Sequence, residues 1–509
     1  MNGIELLKLA APQVIVVVTA LAVLAADLLA LRELDVRFRL VIGAMISTLG
    51  CVVAAAWIVA LPEGANAMDG MLVVDPLTRL VSVALLALTV VTILLSLDTS
   101  FTAHVGEYFA LILLATTGMM FLVSAEDILM IFISLELTSL SLYILAAFNK
   151  QNVQSAEAAL KYFLFGGLSA AFTLMGLSLL YGLSGSTNLG RIAAAIQGPG
   201  LDPVLVLAIV MTVIGFGFKV AAVPFHFWAP DAYQGAPLPS AAFIASGSKV
   251  ASFFIFAKVM TLGFAGAEGS AALRGYVPGW FPALAVVSAA SMVLGNLAAI
   301  AQVSLRRLLA YSAIAHAGYL LLGVMASGSQ NLAPLLYYAI TYGLTTLGAF
   351  GVVSLVQHQC GGDSISDFAG LCRKAPVVAF CMMIFLLSLA GIPPLAGFFG
   401  KFYLFASALE TGPKNLGLLW LVVLAVAMSA VSLYYYLQVL KQIYVVETPA
   451  LATPERMPMS GQAVVVLLAA AVVVLGCAPN VLLNKLSRPA AAGESRTSVP
   501  AASPHLAHD

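Results

Sequence analysis

The chain has 509 residues, of which 61% are hydrophobic and only 9% charged. Soluble domains carry charge on about a quarter of their residues, so this composition excludes a water-soluble globule and points to a membrane-embedded protein. Lysine plus arginine and aspartate plus glutamate each number 23, and a net charge of zero gives no sign of nucleic acid or of an acidic partner.

In chain order, the first apolar run covers about residues 9–31. It lacks a basic leader and exceeds the length of a signal-peptide core, so it reads as an uncleaved first span. Further runs near the ~20 residues needed to cross a bilayer lie at about 40–61, 76–97, 108–124, 128–148, 158–183, 203–229, 239–262, 281–303, 307–327, 332–357, 377–409, 415–445 and 461–483. The expectation is an all-α polytopic membrane protein with about fourteen transmembrane helices.

Two places depart from plain spans. From Pro203 to Met260, two apolar segments each contain a lysine, Lys219 and Lys249, with Pro224, Pro230, Pro237 and Pro239 between them. A lysine at the centre of a membrane helix costs roughly 2.5–3.5 kcal/mol on insertion scales, and such residues usually mark ion pathways. Irregular backbone at that depth is tolerated only where protein or a watery cavity satisfies it. The run 377–409 would reach roughly 50 Å as one helix, so "GIPPLAG" (Gly391–Gly397) must break or tilt it, with Lys401 just beyond.

Paired breaks in two halves suggest two inverted five-helix repeats with a site between them. The expected organisation is three leading spans (1–106), a first repeat (107–262), a second (281–445), a last span (461–483) and a tail (484–509). The tail is Ala/Pro/Ser-rich and reads as disordered.

Basic residues alternate between loops. One set holds Arg32, Arg37 and Arg39, then Lys150, Arg306 and Arg307, Arg373 and Lys374, and Lys441 with Arg456; the other holds Arg191, Arg274 and Lys414. The richer set reads as cytoplasmic, which puts both termini on the periplasmic side.

The charges inside the spans are the candidate functional residues. Glu136 lies nine residues past Asp127, roughly 13 Å along a helix, and Lys249 ten past Pro239, roughly 15 Å. With Lys219 they are too deep to reach water easily. Glu157 and Lys161 are spaced to pair on one helix face. Glu157 and Lys258 also lie near helix ends, where a long side chain can snorkel to the interface. His226 and His316 are candidates that a structural role would explain equally well, and Tyr434, Tyr435 and Tyr436 read as packing or interfacial aromatics.

Desolvation disfavours a charged amine and a nearby carboxylate restores it, so a helix shift that alters the Glu136–Lys219 separation would move a proton toward Lys249. The five cysteines form no CxxC and have no metal-ligand spacing, and read as small core residues. "GFGFKV" (Gly215–Val220) lacks the third glycine of a dinucleotide fingerprint and sits inside a span. No redox centre is visible.

The segments "LKYFLFGGLSA", "KVAAVPFHFWAPDAYQGAP", "LLAYSAIAHAGYLLLG" and "LSLAGIPPLAGFFGKFYLF" resemble the antiporter-like membrane subunits of proton-pumping NADH:quinone oxidoreductase (complex I). The resemblance covers about Glu107 to Tyr444 and is greatest to the subunit N branch, in which lysine stands at the position of Lys401. It implies a switching role for Glu136 beside Lys219, a central relay at Lys249 and a terminal site at Lys401. His316, His226, Lys161 and Glu157 would line the same hydrophilic axis.

It also implies other complex I membrane subunits as partners, a lipid bilayer as surroundings, no nucleic acid, and a bacterial inner-membrane location. The chain would not act alone, and it would hold no cofactor of its own, the FMN, iron–sulfur clusters and quinone belonging to the complex. The competing readings are a subunit of a multisubunit cation/proton antiporter and a structural spacer that pumps nothing.

Overall fold

The computed structural model describes residues 3–62, 64–196, 202–327, 331–410, 417–447 and 457–487. Lys414, Arg456 and the expected tail from residue 488 onward lie outside the described residues. In chain order the helices are α1 (Gly3–Leu29), α2 (Val36–Ala60), α3 (Pro76–Leu95), α4 (Val105–Ser124), α5 (Ile128–Ala146), α6 (Val153–Ser184), α7 (Leu189–Ala195) and α8 (Pro203–Lys219). There follow α9 (Trp228–Gly235), α10 (Leu238–Ala245), α11 (Gly247–Lys258), α12 (Trp280–Ile300), α13 (Leu305–Ala326) and α14 (Ala333–Cys360). The chain ends with α15 (Leu371–Lys374), α16 (Pro376–Ala390), α17 (Ala396–Glu410), α18 (Leu419–Tyr444), α19 (Met459–Cys477) and α20 (Asn480–Leu486).

The helices start where the sequence places caps. Asp75, Asp127, Asn152 and Asp202 each accept a hydrogen bond from a backbone N–H in the first turn that follows, satisfying donors that have no partner inside the helix. Pro76, Pro203 and Pro376 open helices at the position where a missing N–H costs nothing. Glycines in the left-handed conformation, Gly185, Gly361 and Gly391, end α6, α14 and α16.

Among the described residues, twelve helical segments are long and apolar enough to cross a membrane. Two shorter apolar helices, α8 and α16, stand where the seventh and twelfth spans were expected. Each runs into an irregular stretch, 220–227 after α8 and 391–395 after α16, and each stretch contains a cis X–Pro bond, at Pro224 and Pro394. Protein groups satisfy the first stretch: Val223 N–H donates to Ser291 Oγ (2.9 Å), and Trp228 Nε1 donates to the Phe218 carbonyl (3.0 Å). The span expected at 239–262 is itself broken at Ser246, between α10 and α11, and closes in a π-helical turn at Val259–Gly263. Neither feature has a proline to announce it.

Burial ranks the helices. The spanning windows of α10–α11, α13 and α14 are 100%, 94% and 89% buried, whereas those of α1, α2, α6, α18 and α19 are 39% buried or less. The first group is therefore the centre of the bundle and carries Lys249 and His316. Small residues bring helices close: a Cβ on Gly215 of α8 would fall within 3 Å of Thr173 on α6, and one on Gly318 of α13 within 3 Å of Met292 on α12. Such contacts substitute for the hydrophobic drive that lipid does not supply.

The two faces differ. On one, Arg39 grips Asp27 with two hydrogen bonds (2.7 and 2.8 Å) while Asp27 also accepts the Gly106 N–H (2.9 Å), tying α1, α2 and α4 together. Around a cavity on this face gather Arg37, His104, Lys150 and His358, so the turns after α1, α3, α5 and α14 share it. On the other, a small antiparallel hairpin, β1 (Ala65–Ala67) with β2 (Leu72–Val74), packs over the α4–α5 turn and α7. The hairpin and α7 are not legible in the sequence, being short, with no period to detect.

Two expectations change. Residues 484–486 of the expected tail belong to the helix α20, with Leu486 buried, so the polar tail begins later than residue 484. Of the cysteines, Cys51 and Cys381 are buried as expected, but Cys372 is half-buried and Cys477 exposed at the end of α19.

Candidate functional site

The candidate residues lie at mid-height in their helices: Glu136 is ninth of the 19 residues of α5, and His316 twelfth of the 22 of α13. Lys249 is twelfth of the 26 that run from Leu238 to Gly263. Their contacts form a row across the bundle.

At one end, Lys219 is the last residue of α8, where the carbonyl end of a helix favours a cation. Its Nζ donates to Ser139 Oγ at 2.5 Å and stands 3.8 Å from Glu136 Oε1. The second distance is an ion pair without a hydrogen bond, and the buried Glu136 Oε1 has no hydrogen-bond partner among the described residues. Beyond Lys219 is a cavity with about 10 Å³ for the centre of a water molecule, lined by Ser139, Tyr162, Ser248 and Ser252. That is room for one water, and it connects Lys219 to the turn of α11 that bears Lys249.

Lys249 has neutral company. Its Nζ donates to the Ala313 carbonyl (2.6 Å) and lies 5.7 Å from the Tyr342 ring centre. The ring of Tyr342 is 5.0 Å from that of His316, whose Nδ1 is 2.6 Å from Tyr338 Oη and whose Nε2 is 3.4 Å from Tyr436 Oη. The His316 ring also meets Tyr319 edge-on at 5.6 Å, and Lys401 Nζ sits 5.0 Å from the Tyr319 ring centre. Lys401 donates to the Leu389 and Ala390 carbonyls (2.9 and 3.1 Å) and to Ser429 Oγ (2.8 Å). The break after α16 leaves those carbonyls free of helical partners, and the lysine serves them.

The row Glu136–Lys219–Lys249–His316–Lys401 thus includes five of the eight candidates. Glu157 and Lys161 do pair (2.7 Å), but half-exposed, in a surface cluster: Lys161 also holds Asp231 (2.8 Å), which Arg307 holds in turn (2.7 Å). Burial pushes the Asp231 carboxyl upward, but hydrogen bonds from Lys161 and Arg307 outweigh it and keep the group below its ordinary value. His226 is buried against Phe227, its Nδ1 has no hydrogen-bond partner, and among the described residues it pairs with no other candidate.

Two sequence readings are corrected. Lys258 does not snorkel: its side chain is 4% exposed and its Nζ is 2.9 Å from Glu126 Oε1. Tyr435 and Tyr436 are not simple packing groups, since Tyr435 donates to Asn296 Oδ1 (2.9 Å) and Tyr436 touches Ser312 and His316; Tyr434 is exposed. Sequence reasoning also missed Asp231, Glu126 and Tyr338. Asp231 stood inside a quoted motif, and Glu126 beside Asp127, from which the depth of Glu136 was counted.

Among the described residues, no group of three or more His, Cys, Asp or Glu side chains is placed to hold a metal ion. The row consists of a carboxylate, amines, an imidazole, phenols and hydroxyls, groups whose chemistry allows proton transfer without an organic substrate.

The family described as "NADH:quinone oxidoreductase/Mrp antiporter, TM" matches residues 125–430. The chain is 54% identical to NADH-quinone oxidoreductase subunit N 2 of Acidobacterium capsulatum, over 95% of this chain and 98% of that one. It is similar to a chain of respiratory complex I from Thermus thermophilus, with 35% identity, 93% and 99% coverage and a TM-score of 0.75. It shares its fold with a chain of the Mrp complex from Dietzia sp. at 22% identity, 94% and 96% coverage and a TM-score of 0.78.

Proposed function

Since this chain belongs to the antiporter-like membrane subunits of the NADH:quinone oxidoreductase and Mrp antiporter family, we propose that it moves protons through the buried row from Glu136 to Lys401. It is a multi-pass membrane subunit of a respiratory NADH:quinone oxidoreductase of the subunit N type and acts with the other membrane subunits of that complex. Redox chemistry, with FMN, iron–sulfur clusters and quinone, belongs to those other parts.

The observation that carries the reading is that Lys249 and Lys401 are buried with only carbonyl, hydroxyl and aromatic neighbours. A lysine held for structure would have a carboxylate partner, because an uncompensated buried charge is expensive. One that gains and loses a proton needs an environment in which both forms are tolerable. Glu136, at 3.8 Å from Lys219, is placed to set that balance: closing the gap holds the proton on Lys219, and opening it sends the proton through the cavity toward Lys249.

Onward transfer uses Tyr342, His316, Tyr338 and Tyr319 as waypoints to Lys401. Glu157, Lys161 and His226 are assigned to the approach from the basic face rather than to the row. The finer architecture belongs to the same proposal: fourteen crossings, two inverted repeats at 107–262 and 281–445, the basic face toward the cytoplasm and an inner-membrane location. The antiporter alternative shares the fold but draws its support from a likeness at 22% identity.

The test is Lys249→Ala in the intact complex, with assembly checked on a native gel and NADH:quinone electron transfer recorded together with the proton gradient. The gradient is expected to collapse, with electron transfer slowed if the two are tightly coupled. An undiminished gradient at full electron transfer would remove the lysine from the path and favour the spacer reading.

A further inference from the structure

We propose that Lys258 and Glu126 form a second proton-exchange site, opening to the face opposite the basic loops. The inference rests on the proton-translocating reading and adds an exit for the first half of the molecule. Lys258 is almost fully buried in the central α10–α11 span, 2.9 Å from Glu126 Oε1 and 5.5 Å from the Phe254 ring centre. Its Nζ makes no hydrogen bond of good geometry, so the ion pair alone holds the charge. Glu126, by contrast, is 26% exposed and reaches the surface. A buried amine backed by a carboxylate that touches water can hand a proton from the interior to the surface.

The surroundings are built around this carboxylate. Glu126 N–H donates to the Gly70 carbonyl in the hairpin (2.7 Å), and the Glu126 carbonyl accepts from Leu189 N–H at the start of α7 (2.9 Å). Arg191 on α7 pairs with Asp69 in the hairpin (3.0 Å), locking the two together. On the other side, Lys258 is the residue from which α11 passes into its π-helical turn, a local distortion found frequently at functional sites. Hairpin, α7 and π turn, all three unforeseen in the sequence, meet at this ion pair.

The proton balance is simple. In the ionic form Lys258 is an ammonium and Glu126 a carboxylate. Transfer along the 2.9 Å contact gives an amine and a carboxylic acid, and Glu126 then releases the proton to the adjoining face. The amine is reloaded from the interior, where Ser252 lines the cavity beside Lys219. Five fully buried apolar residues, Phe253–Ala257, separate Ser252 from Lys258, roughly 9 Å along the helix. Reloading therefore needs water to enter this stretch, which makes it the gate.

The deciding variant is Lys258→Arg in the intact complex. Arginine keeps the ion pair, and with it any structural role, but does not deprotonate. Assembly is expected to be normal while the gradient per NADH oxidised falls at least about tenfold, a modest loss for a positioned proton-transfer group. Pumping at the wild-type level in Lys258→Arg would overturn the proposal.

Should the larger guanidinium prevent assembly, the double variant Glu126→Gln with Lys258→Met leaves no unpaired charge. It too is expected to assemble and fail to pump, and normal pumping by it would reduce the pair to a structural bridge. Lys249→Ala run in parallel separates the two readings. If it pumps normally the underlying function falls, whereas if it alone fails, only the inference falls.

Discussion

At the scale of single residues, what distinguishes the buried lysines is their company. Lys219 has a carboxylate nearby, Lys258 has one in contact, and Lys249 and Lys401 have none. Only the first two can have their charge set by a partner that moves. Glu136→Gln is therefore expected to leave Lys219 on Ser139 alone and to cut proton pumping sharply while the complex still assembles, read as gradient per NADH oxidised.

Lys401→Ala has a second cost, because the Leu389 carbonyl loses its donor and the Ala390 carbonyl keeps only Ser429 Oγ (3.2 Å). An orphaned group is worth about 1–3 kcal/mol, so this variant should lower the thermal midpoint of the isolated complex as well as its pumping. Tyr338→Phe removes only the hydroxyl at 2.6 Å from His316. It is expected to slow pumping with little change in stability, about 1 kcal/mol for one hydrogen bond.

At the scale of elements, legibility follows physical cause. The breaks at Pro224 and Pro394 could be read, because a proline acts locally. The break at Ser246 and the π turn after Lys258 arise from packing inside a fully buried span, and local sequence carries no mark of that. For the same reason Lys258 read as a snorkelling residue: its distance from the helix end was visible, but the hairpin and α7 that cover it were not. Likewise the spacing of Glu157 and Lys161 gave their pairing but not Asp231, which arrives from α9.

Asp231 fastens α9 to α6 and α13 through Lys161 and Arg307. The pairs are partly exposed, so Asp231→Asn should destabilise by only about 1 kcal/mol. The carboxyl is held below its ordinary 3.8, so its contribution is fully present above that value and is lost only as pH falls through the lower folded one. The activity of Asp231→Asn relative to wild type should therefore stay constant between about pH 5 and about pH 8. Convergence of the two already between about pH 6 and about pH 5, above the range in which Asp231 takes up its proton, would show that the strap is not held as described.

At the scale of the whole molecule, a row of proton-bearing groups at mid-height is useful only if it communicates with both faces, and the faces are unlike. One carries Arg37, Lys150 and the Asp231 cluster, and the other the hairpin, α7 and the Lys258–Glu126 pair. Basic residues near span ends are retained on the cytoplasmic side, so on the orientation proposed above the Asp231 cluster would lie at the uptake side and Lys258–Glu126 at the release side. Lys150 and Arg191 are both exposed, on opposite faces, and serve as reporters.

With Cys360, Cys372 and Cys477 replaced by serine, which leaves only the two buried native thiols Cys51 and Cys381, Lys150→Cys should react with a membrane-impermeant thiol reagent only in inverted vesicles. Arg191→Cys should react only in right-side-out cells. The reverse pattern would exchange the two roles, turning the Lys258–Glu126 pair from an exit into an entrance while leaving the row itself unchanged, since nothing in its sequence of contacts fixes a direction. Direction is a property of the faces, and these two labels read it.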